Sequence, residues 1–316
     1  MNISKYNSIL MKGIAISFIV VSHVVSQYNL NNKSLPFHLA NLDSLGVLGV
    51  SIFFFVSGYG LSIREKRITF SYISKKIFQI WMNVIMIRIS FEFFYQIFIE
   101  NNFSLRSLII YSLSFVQPYW FICIISFLYI FFLMVSTLTN QKYRFTFILS
   151  ILILILNIIL YLLNFSEEWY NVTLMFSIGS YFGFKTKRVE VYPKAKEFIR
   201  LIFYLIGFLV GVYLTKVPML SSLLNKYIAA FFFIMILVIC LNFIKEYKIF
   251  NVLSFLGKNS LIIYLIHIQI LRYFRFWSYW GYGRIIIFIL LTYICVYTFN
   301  LINNRVRLIL IERYNS

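Results

Sequence analysis

The stretch LGVLGVSIFFFVSGYGLSI, residues Leu45–Ile63, has no charged side chain and is long enough to cross a membrane. A transmembrane helix needs about 20 predominantly apolar residues, because the hydrocarbon core of a bilayer is about 30 Å thick. The whole chain has the same character: 61% of its 316 residues are hydrophobic and only 12% are charged. A soluble domain is about half apolar and a quarter charged. The composition therefore argues against a water-soluble fold and predicts an all-α, polytopic transmembrane helix bundle.

Ten apolar runs are separated by short polar segments, and each run is predicted to be one transmembrane helix. The spans are Ile9–Tyr28, Leu45–Ile63, Ile77–Ile99, Pro118–Leu138, Phe145–Phe165, Val172–Phe184, Ile199–Leu214, Ile228–Ile244, Ser260–Phe276 and Arg284–Ile302. The run Leu108–Val116 is too short to cross, so we expect a re-entrant, interfacial or buried-loop segment. The first run lacks a cleavage site of small residues, which indicates a retained helix rather than a signal peptide. We expect a single membrane domain over residues 1–316, without an extra soluble domain.

The 29 lysine and arginine residues indicate which ends of the spans face the cytoplasm. With a cytoplasmic N-terminus and ten spans, 21 of them fall on the inner side, seven fall on the outer side and Arg88 lies within the third span. The positive-inside rule describes this bias, so both termini are predicted to be cytoplasmic. The net charge of +19 is distributed over these loops rather than gathered in one patch. It therefore does not indicate nucleic-acid binding.

Several kinds of functional site are not indicated by the sequence. The three cysteines, Cys123, Cys240 and Cys295, each lie in an apolar run and form no CxxC pair. This pattern argues against a disulfide framework and against a thiolate metal site. The sequence has no P-loop, GxGxxG, HExxH or GxSxG motif. The histidines are scattered, with His38 in an outer loop, so no metal site is predicted.

Ionisable side chains at membrane depth are costly unless they are paired or hydrated, so they mark candidate functional positions. Four such residues are His23, Arg88, Glu92 and His267. Histidine can accept and return a proton near neutral pH, which suits His23 to base catalysis, although a structural histidine is the alternative. Arg88 and Glu92 are four residues apart on one helix and can pair there. They could line a substrate cavity or form a structural ion pair that faces other helices.

Helical spacing connects the two intramembrane histidines with further residues. Lys12 stands eleven residues before His23, which is about three turns and about 16 Å along one face of the first helix. A lysine at this position can also simply extend to the cytoplasmic interface. Tyr264 precedes His267 by three residues and shares its helix face. This second pair could support a reaction centre or only pack between helices.

Four segments taken together resemble acyltransferase family three, a group of multi-spanning membrane enzymes that acylate sugars and other acceptors. Lys12–His23 is similar to the opening helix of the family, and Gly49–Ser62 is similar to the pattern "lFFvlSGyl" of its second helix. Pro118–Ile122, followed by Tyr129, is similar to the pattern "hlWfl". Leu256–His267 is similar to the late pattern "lGk.Sl.iYl.H". Their order and spacing agree with the family over most of the chain.

The resemblance implies an acyl-CoA donor, with acetyl-CoA expected, and an acceptor that is a cell-surface or lipid-linked carbohydrate. It also implies a multi-pass protein of the cytoplasmic membrane in which His23 is the catalytic base or an acyl carrier. The positions implied for donor binding are Lys12, Lys75 and Lys76. The positions expected to line the cavity and position the reactants are Arg88, Glu92, Trp120, Tyr264 and His267.

Two positions depart from the family pattern. Lys12 stands where the family usually has arginine, which keeps the charge but loses bidentate phosphate binding. The family's basic pair after the second helix, similar to RxxR, is here Lys75 and Lys76 followed by Gln79. The main alternative function is a transporter or flippase of lipid-linked saccharide. A non-catalytic subunit of a polysaccharide synthesis complex is a second alternative.

Overall fold

The computed structural model describes residues 3–30, 41–64, 68–113, 119–186, 194–214, 222–243, 249–274 and 282–315. The α-helices in these ranges are Lys5–Leu30 (α1), Leu45–Ser62 (α2), Phe70–Phe98 (α3), Leu105–Leu113 (α4), Trp120–Leu138 (α5), Lys142–Leu162 (α6), Met175–Lys185 (α7), Lys194–Leu214 (α8), Ser222–Phe243 (α9), Ile249–Lys258 (α10), Ser260–Phe274 (α11) and Tyr282–Asn315 (α12). Short 3-10 helices occupy Asn41–Ser44 and Glu167–Trp169. No β-strand occurs within these ranges, so the predicted all-α class is confirmed.

Seven of these helices are long and apolar enough to cross a membrane. They are Lys5–Gln27, Leu42–Ser62, Phe70–Phe98, Trp120–Leu138, Lys142–Leu162, Lys196–Leu214 and Leu223–Phe243. The helices Phe250–Lys258 and Ser260–Arg272 meet at a bend of 79° and add an eighth span if the pair is counted as one. The polytopic membrane fold is thus confirmed, and each predicted span overlaps a helix. The number of ten spans and the cytoplasmic termini stay predictions.

Two of the predicted spans correspond to shorter helices. The sixth is represented by α7, which has 11 residues, and the tenth by the apolar part of α12, Ile285–Leu301. The short run predicted not to cross, Leu108–Val116, overlaps α4, which has nine residues, and its last three residues lie outside the described ranges. His38 and the inner-loop cations at 187 and 188 lie outside the described residues.

The chain forms two compact units. Unit 1 takes Met1–Ile19, Ser44–Met82 and Phe115–Lys258, whereas unit 2 takes Val20–Asp43, Asn83–Ser114 and Asn259–Ser316. Helices α1 and α3 each contribute residues to both units. Every other α-helix belongs to a single unit, so the two units can be described one at a time.

In unit 1, glycines bring α2 and α7 into backbone contact. A Cβ atom at Gly58 would overlap the carbonyl oxygen of Phe176, and one at Gly179 would overlap that of Phe55. Around Gly60, by contrast, nothing lies within 4 Å of the position that a Cβ would take. Small residues allow membrane helices to approach closely and gain packing contacts. The SGYG segment therefore contains one glycine that the packing requires and one that it does not.

Glycines also fix the position of the first part of α1, which carries Lys12. A Cβ atom at Gly13 would overlap the carbonyl oxygen of Leu253, and one at Gly257 would overlap that of Ile9. These two glycines hold α1 against α10 within unit 1. At the N-terminal end, the backbone N–H of Ile3 donates a hydrogen bond of 3.0 Å to the Tyr59 hydroxyl. The position of Lys12 is thus set by backbone-to-backbone packing.

Unit 2 is joined by polar side chains as well as by apolar packing. The bend before α11 lies at Asn259, whose Oδ1 accepts a hydrogen bond of 2.8 Å from Asn300 of α12. The Ser22 hydroxyl on α1 donates to the carbonyl oxygen of Asp43. These bonds satisfy polar groups that would otherwise be buried without partners. They also orient the segments that carry the two intramembrane histidines.

Candidate active site

His23 on α1 and His267 on α11 are in direct contact within unit 2. His23 Nδ1 lies 2.9 Å from His267 Nε2. The ring centroids are 5.1 Å apart and the ring planes make an angle of 24°. With the two nitrogens 2.9 Å apart, the ring centroids are nearly as far from each other as they can be. The rings therefore meet at their edges rather than face to face, which is the geometry of a hydrogen bond between two ring nitrogens. His267 is fully buried, whereas His23 is partly exposed.

A backbone carbonyl fixes the direction of this hydrogen bond. His267 Nδ1 lies 2.9 Å from the carbonyl oxygen of Ile263. A carbonyl oxygen only accepts, so the hydrogen is on Nδ1, and in the neutral ring His267 Nε2 is then an acceptor. His23 must donate to it from Nδ1, which leaves His23 Nε2 with its lone pair. The arrangement therefore leaves the His23 Nε2 atom able to accept a proton or a hydrogen bond.

Tyr264 supports the buried ring of His267. The two rings have centroids 5.8 Å apart, and Tyr264 is 4% exposed. The predicted sharing of one helix face by these residues is confirmed. Since Tyr264 packs against His267 and both are buried, its contact helps to hold the imidazole in position.

A second group of side chains in unit 2 consists of Arg88, Glu92, Tyr111 and Arg272, and is called the arginine cluster below. Arg88 is fully buried and Glu92 is 5% exposed. Arg272 Nη1 lies 3.0 Å from Glu92 Oε2. The guanidinium carbons of Arg88 and Arg272 lie 4.4 and 4.2 Å from the centroid of the Tyr111 ring. Arg88 also donates a hydrogen bond to the backbone carbonyl of Tyr111.

Gln96 connects the arginine cluster to the start of α4. Its Nε2 donates to Glu92 Oε1 at 3.2 Å and to the Ser107 hydroxyl at 2.9 Å. Its Oε1 accepts a hydrogen bond of 3.0 Å from the backbone N–H of Ser104. Both carboxylate oxygens of Glu92 therefore have partners. The short helix α4 is held on α3 by this buried amide.

Sequence reasoning identified Arg88 and Glu92 but missed their neighbours. Arg272 is one of the seven cations counted on the outer side, and neither Tyr111 nor Gln96 stands out in the sequence. A usable signal for Gln96 was its position four residues after Glu92, where side chains on a helix meet. No comparable signal links Glu92 to Arg272, because the two are 180 residues apart in the chain.

In unit 1, two of the three predicted donor-binding lysines lie in the neighbourhood of Tyr129. Lys12 is close enough to Lys76 and to Tyr129 for their charges to act on it. Lys76 Nζ lies 4.4 Å from the centroid of the Tyr129 ring. Lys75 is exposed, and Trp120, which begins α5, is partly exposed. Lys12, Lys76 and Tyr129 are called the lysine cluster below.

The comparisons with known proteins give a family for this polytopic membrane protein. A family model described as an acyltransferase domain, that of acyltransferase family three, matches residues 6–302. The chain therefore belongs to this family and is a membrane acyltransferase. Neither the curated proteins nor the solved structures gave a match. The resemblance found in the four sequence segments is confirmed by the family match.

Proposed function

We propose that the protein transfers an acyl group, with acetyl expected, from acyl-CoA to a hydroxyl of a cell-surface or lipid-linked carbohydrate. The observation that carries the proposal is the hydrogen bond between His23 Nδ1 and His267 Nε2. A hydroxyl becomes a good nucleophile when a positioned base removes its proton. His23 Nε2 is such a base, and His267 holds its ring in the required tautomer.

The reaction follows from these two imidazoles. His23 Nε2 takes the proton of the acceptor hydroxyl while the oxygen attacks the thioester carbonyl of the donor. The carbon–sulfur bond then breaks, and the His23 imidazolium returns the proton to the CoA thiolate. His267 stabilises the imidazolium by accepting from His23 Nδ1, as the third group of a catalytic triad does. If His23 carries the acyl group instead, the same Nε2 atom attacks the thioester first.

The lysine cluster supports an acyl-CoA donor. Two ammonium groups held near each other repel, and a phosphate between them removes that repulsion. CoA carries phosphates at one end and the thioester at the other. Lys12 and His23 are eleven residues apart on α1, about 16 Å along the helix. This spacing supports phosphates at Lys12 and a thioester deeper in the membrane.

Lys12→Ala should raise the KM for acetyl-CoA about tenfold, the effect of losing one charged contact, and should change kcat less. Lys12→Arg should retain or improve the KM, because a guanidinium can bind phosphate in a bidentate manner. Initial rates with labelled acetyl-CoA measure both constants. Lys5→Ala, at the exposed start of the same helix, is the matched control. An unchanged KM with a lowered kcat would contradict the role of Lys12 in donor binding.

His267→Gln should lower kcat about 10- to 100-fold without abolishing transfer, since one hydrogen bond to a charged group is lost or weakened. The glutamine amide oxygen can still accept from His23 Nδ1, so His267→Ala should lose more. The KM for acetyl-CoA should stay constant in both, which separates positioning from donor binding. A folded, correctly inserted His267→Gln protein with no activity would instead give His267 a direct chemical role.

The proposed reaction can be tested on membranes that contain the protein. They are incubated with labelled acetyl-CoA and a panel of glycans, and the label recovered in each glycan is compared with that in membranes lacking the protein. Transfer that depends on the protein is expected. Translocation of a lipid-linked glycan without transfer of the label would favour the flippase alternative.

A further inference from the structure

The arginine cluster holds more positive than negative charge. Among the described residues, Glu92 is the only acidic side chain that is buried. Two guanidinium groups, those of Arg88 and Arg272, lie beside this single carboxylate and share the ring of Tyr111. The aromatic ring attracts both cations but supplies no formal negative charge. Two guanidinium groups beside one carboxylate attract an anionic ligand by their charge.

Arg272 is the member of the cluster that a ligand can reach. Its side chain is 33% exposed, whereas that of Glu92 is 7% exposed. Contact between the guanidinium and lipid is excluded by the cost of a charge in hydrocarbon. The exposed part of Arg272 therefore faces water or a polar ligand. Arginine is also the residue best suited to carboxylates and phosphates, because its planar fork matches their oxygens.

We propose that the arginine cluster binds an oxyanion, a carboxylate or a phosphate, carried by the acceptor. This inference rests on the proposed acyl transfer and specifies its acceptor as an acidic or phosphate-bearing glycan rather than a neutral one. Within the cluster, Glu92 holds one edge of Arg272, and Arg88 adds a second positive charge. The ligand oxyanion binds at the exposed side of Arg272.

The spacing on α11 connects this site with the histidine pair. Arg272 follows His267 by five residues, which is about 7 to 8 Å along the helix axis and about 140° around it, so the two lie on different faces of α11. Between them lies Gln269, whose Oε1 accepts a hydrogen bond of 3.3 Å from the Tyr111 hydroxyl. An acceptor of several sugar units is long enough to reach from one face of the helix to the other. An acceptor held by its oxyanion at Arg272 can therefore present a hydroxyl of another sugar unit to His23 Nε2.

Matched ligands test the inference directly. Binding to the purified full-length protein in detergent is measured by calorimetry at one fixed salt concentration. The first pair of probes is an oligosaccharide containing a uronic acid and its neutral methyl ester. The second pair is the same backbone with and without a phosphate monoester. The members of each pair share one sugar backbone, and the main difference between them is the negative charge that the arginine cluster is proposed to bind.

Four variants accompany the wild type. Arg272→Gln removes the proposed contact, and Arg272→Lys keeps the charge but not the planar fork. The double variant Glu92→Gln/Arg272→Gln removes the contact without leaving a buried carboxylate unpaired, so it guards against misfolding. Arg106→Gln changes an exposed arginine of α4 outside the arginine cluster and serves as the control.

The wild type should bind at least one charged probe about tenfold more tightly than its neutral match. Arg272→Gln and the double variant should lose this preference, Arg272→Lys should keep part of it, and Arg106→Gln should keep all of it. A preference for the uronate identifies a carboxylate as the ligand group, and a preference for the phosphate monoester identifies a phosphate. Equal binding within both pairs overturns the inference, as does a preference that survives in Arg272→Gln.

Transfer of label from acetyl-CoA to the same probes separates the two proposals. Transfer without any preference for charge supports the proposed function and overturns this inference. Preferred binding of a charged probe that never receives the label supports the oxyanion site and contradicts the proposed reaction on that acceptor. The proposed function and the proposed oxyanion site can therefore be contradicted independently of each other.

Discussion

His23→Ala should reduce acyl transfer to background while acetyl-CoA still binds with nearly its normal affinity. The reason is that a general base acts mainly in the transition state, where its loss costs about 100- to 10,000-fold in rate. If His23 carries the acyl group, the loss is complete. Single-turnover transfer and equilibrium binding of acetyl-CoA, both on purified protein in detergent, measure the two effects separately.

A second variant distinguishes catalysis by His23 from a structural role. His23→Gln keeps a donor that can reach His267 Nε2 but has no basic nitrogen, so we expect it to fold normally and to be as inactive as His23→Ala. Ser17→Ala is the control on α1, because the Ser17 hydroxyl donates a hydrogen bond of 2.9 Å to the Gly13 carbonyl, four residues earlier in the same helix. Near-normal transfer by either His23 variant would show that the base is elsewhere and would reopen the transporter alternative.

The sequence could predict the histidines but not their contact. Each histidine stands out because it is an ionisable residue within an apolar run. The energetic cost of such a residue in a membrane can be inferred from one sequence segment alone. Their hydrogen bond joins residues 244 positions apart, and helical periodicity restricts only neighbours on the same helix. The Ile263 carbonyl fixes the tautomer of His267, and His267 in turn fixes the tautomer of His23. This effect on His23 exists only when α11 packs against α1, so the sequence alone does not predict it.

The partner of Glu92 shows the same limit. Local spacing points to Arg88, four residues away, because side chains at that separation meet on a helix. The structure instead pairs Glu92 with Arg272 from α11, while Arg88 contacts Tyr111.

The two glycines of the SGYG segment are a further case: they look alike in sequence, yet only Gly58 is in close contact with another helix.

Most of the fold could be predicted because long apolar runs have few alternatives to helices in a membrane. The bend before α11 could not. The predicted ninth span begins at Ser260, and the structure places a separate helix, α10, before it at an angle of 79°. Ten residues of α10 are too few to be identified as a span. Its docking through Gly257 and Gly13 is a tertiary contact that no local pattern encodes.

Glu92→Gln should be the most destabilising conservative change in unit 2, and adding Arg272→Gln should restore part of the loss. The single change removes the only buried carboxylate among the described residues and leaves two guanidinium groups beside Tyr111. The change leaves the Arg272 guanidinium without its carboxylate partner. Because that guanidinium is 33% exposed, we expect a cost of about 1–3 kcal/mol, which is less than the loss of one partner from a fully buried pair. The double variant removes one of those charges as well, so it should unfold at a higher temperature than Glu92→Gln alone.

Thermal unfolding in detergent of the wild type, both single variants and the double variant completes a double-mutant cycle. We expect a coupling of about 1–3 kcal/mol, because residues in one ion-pair network do not behave additively. Arg106→Gln should change stability by about 0.5 kcal/mol or less, as exposed substitutions do. Strictly additive effects of Glu92→Gln and Arg272→Gln would mean that the 3.0 Å contact contributes nothing, and the charge balance of the arginine cluster would then need another explanation.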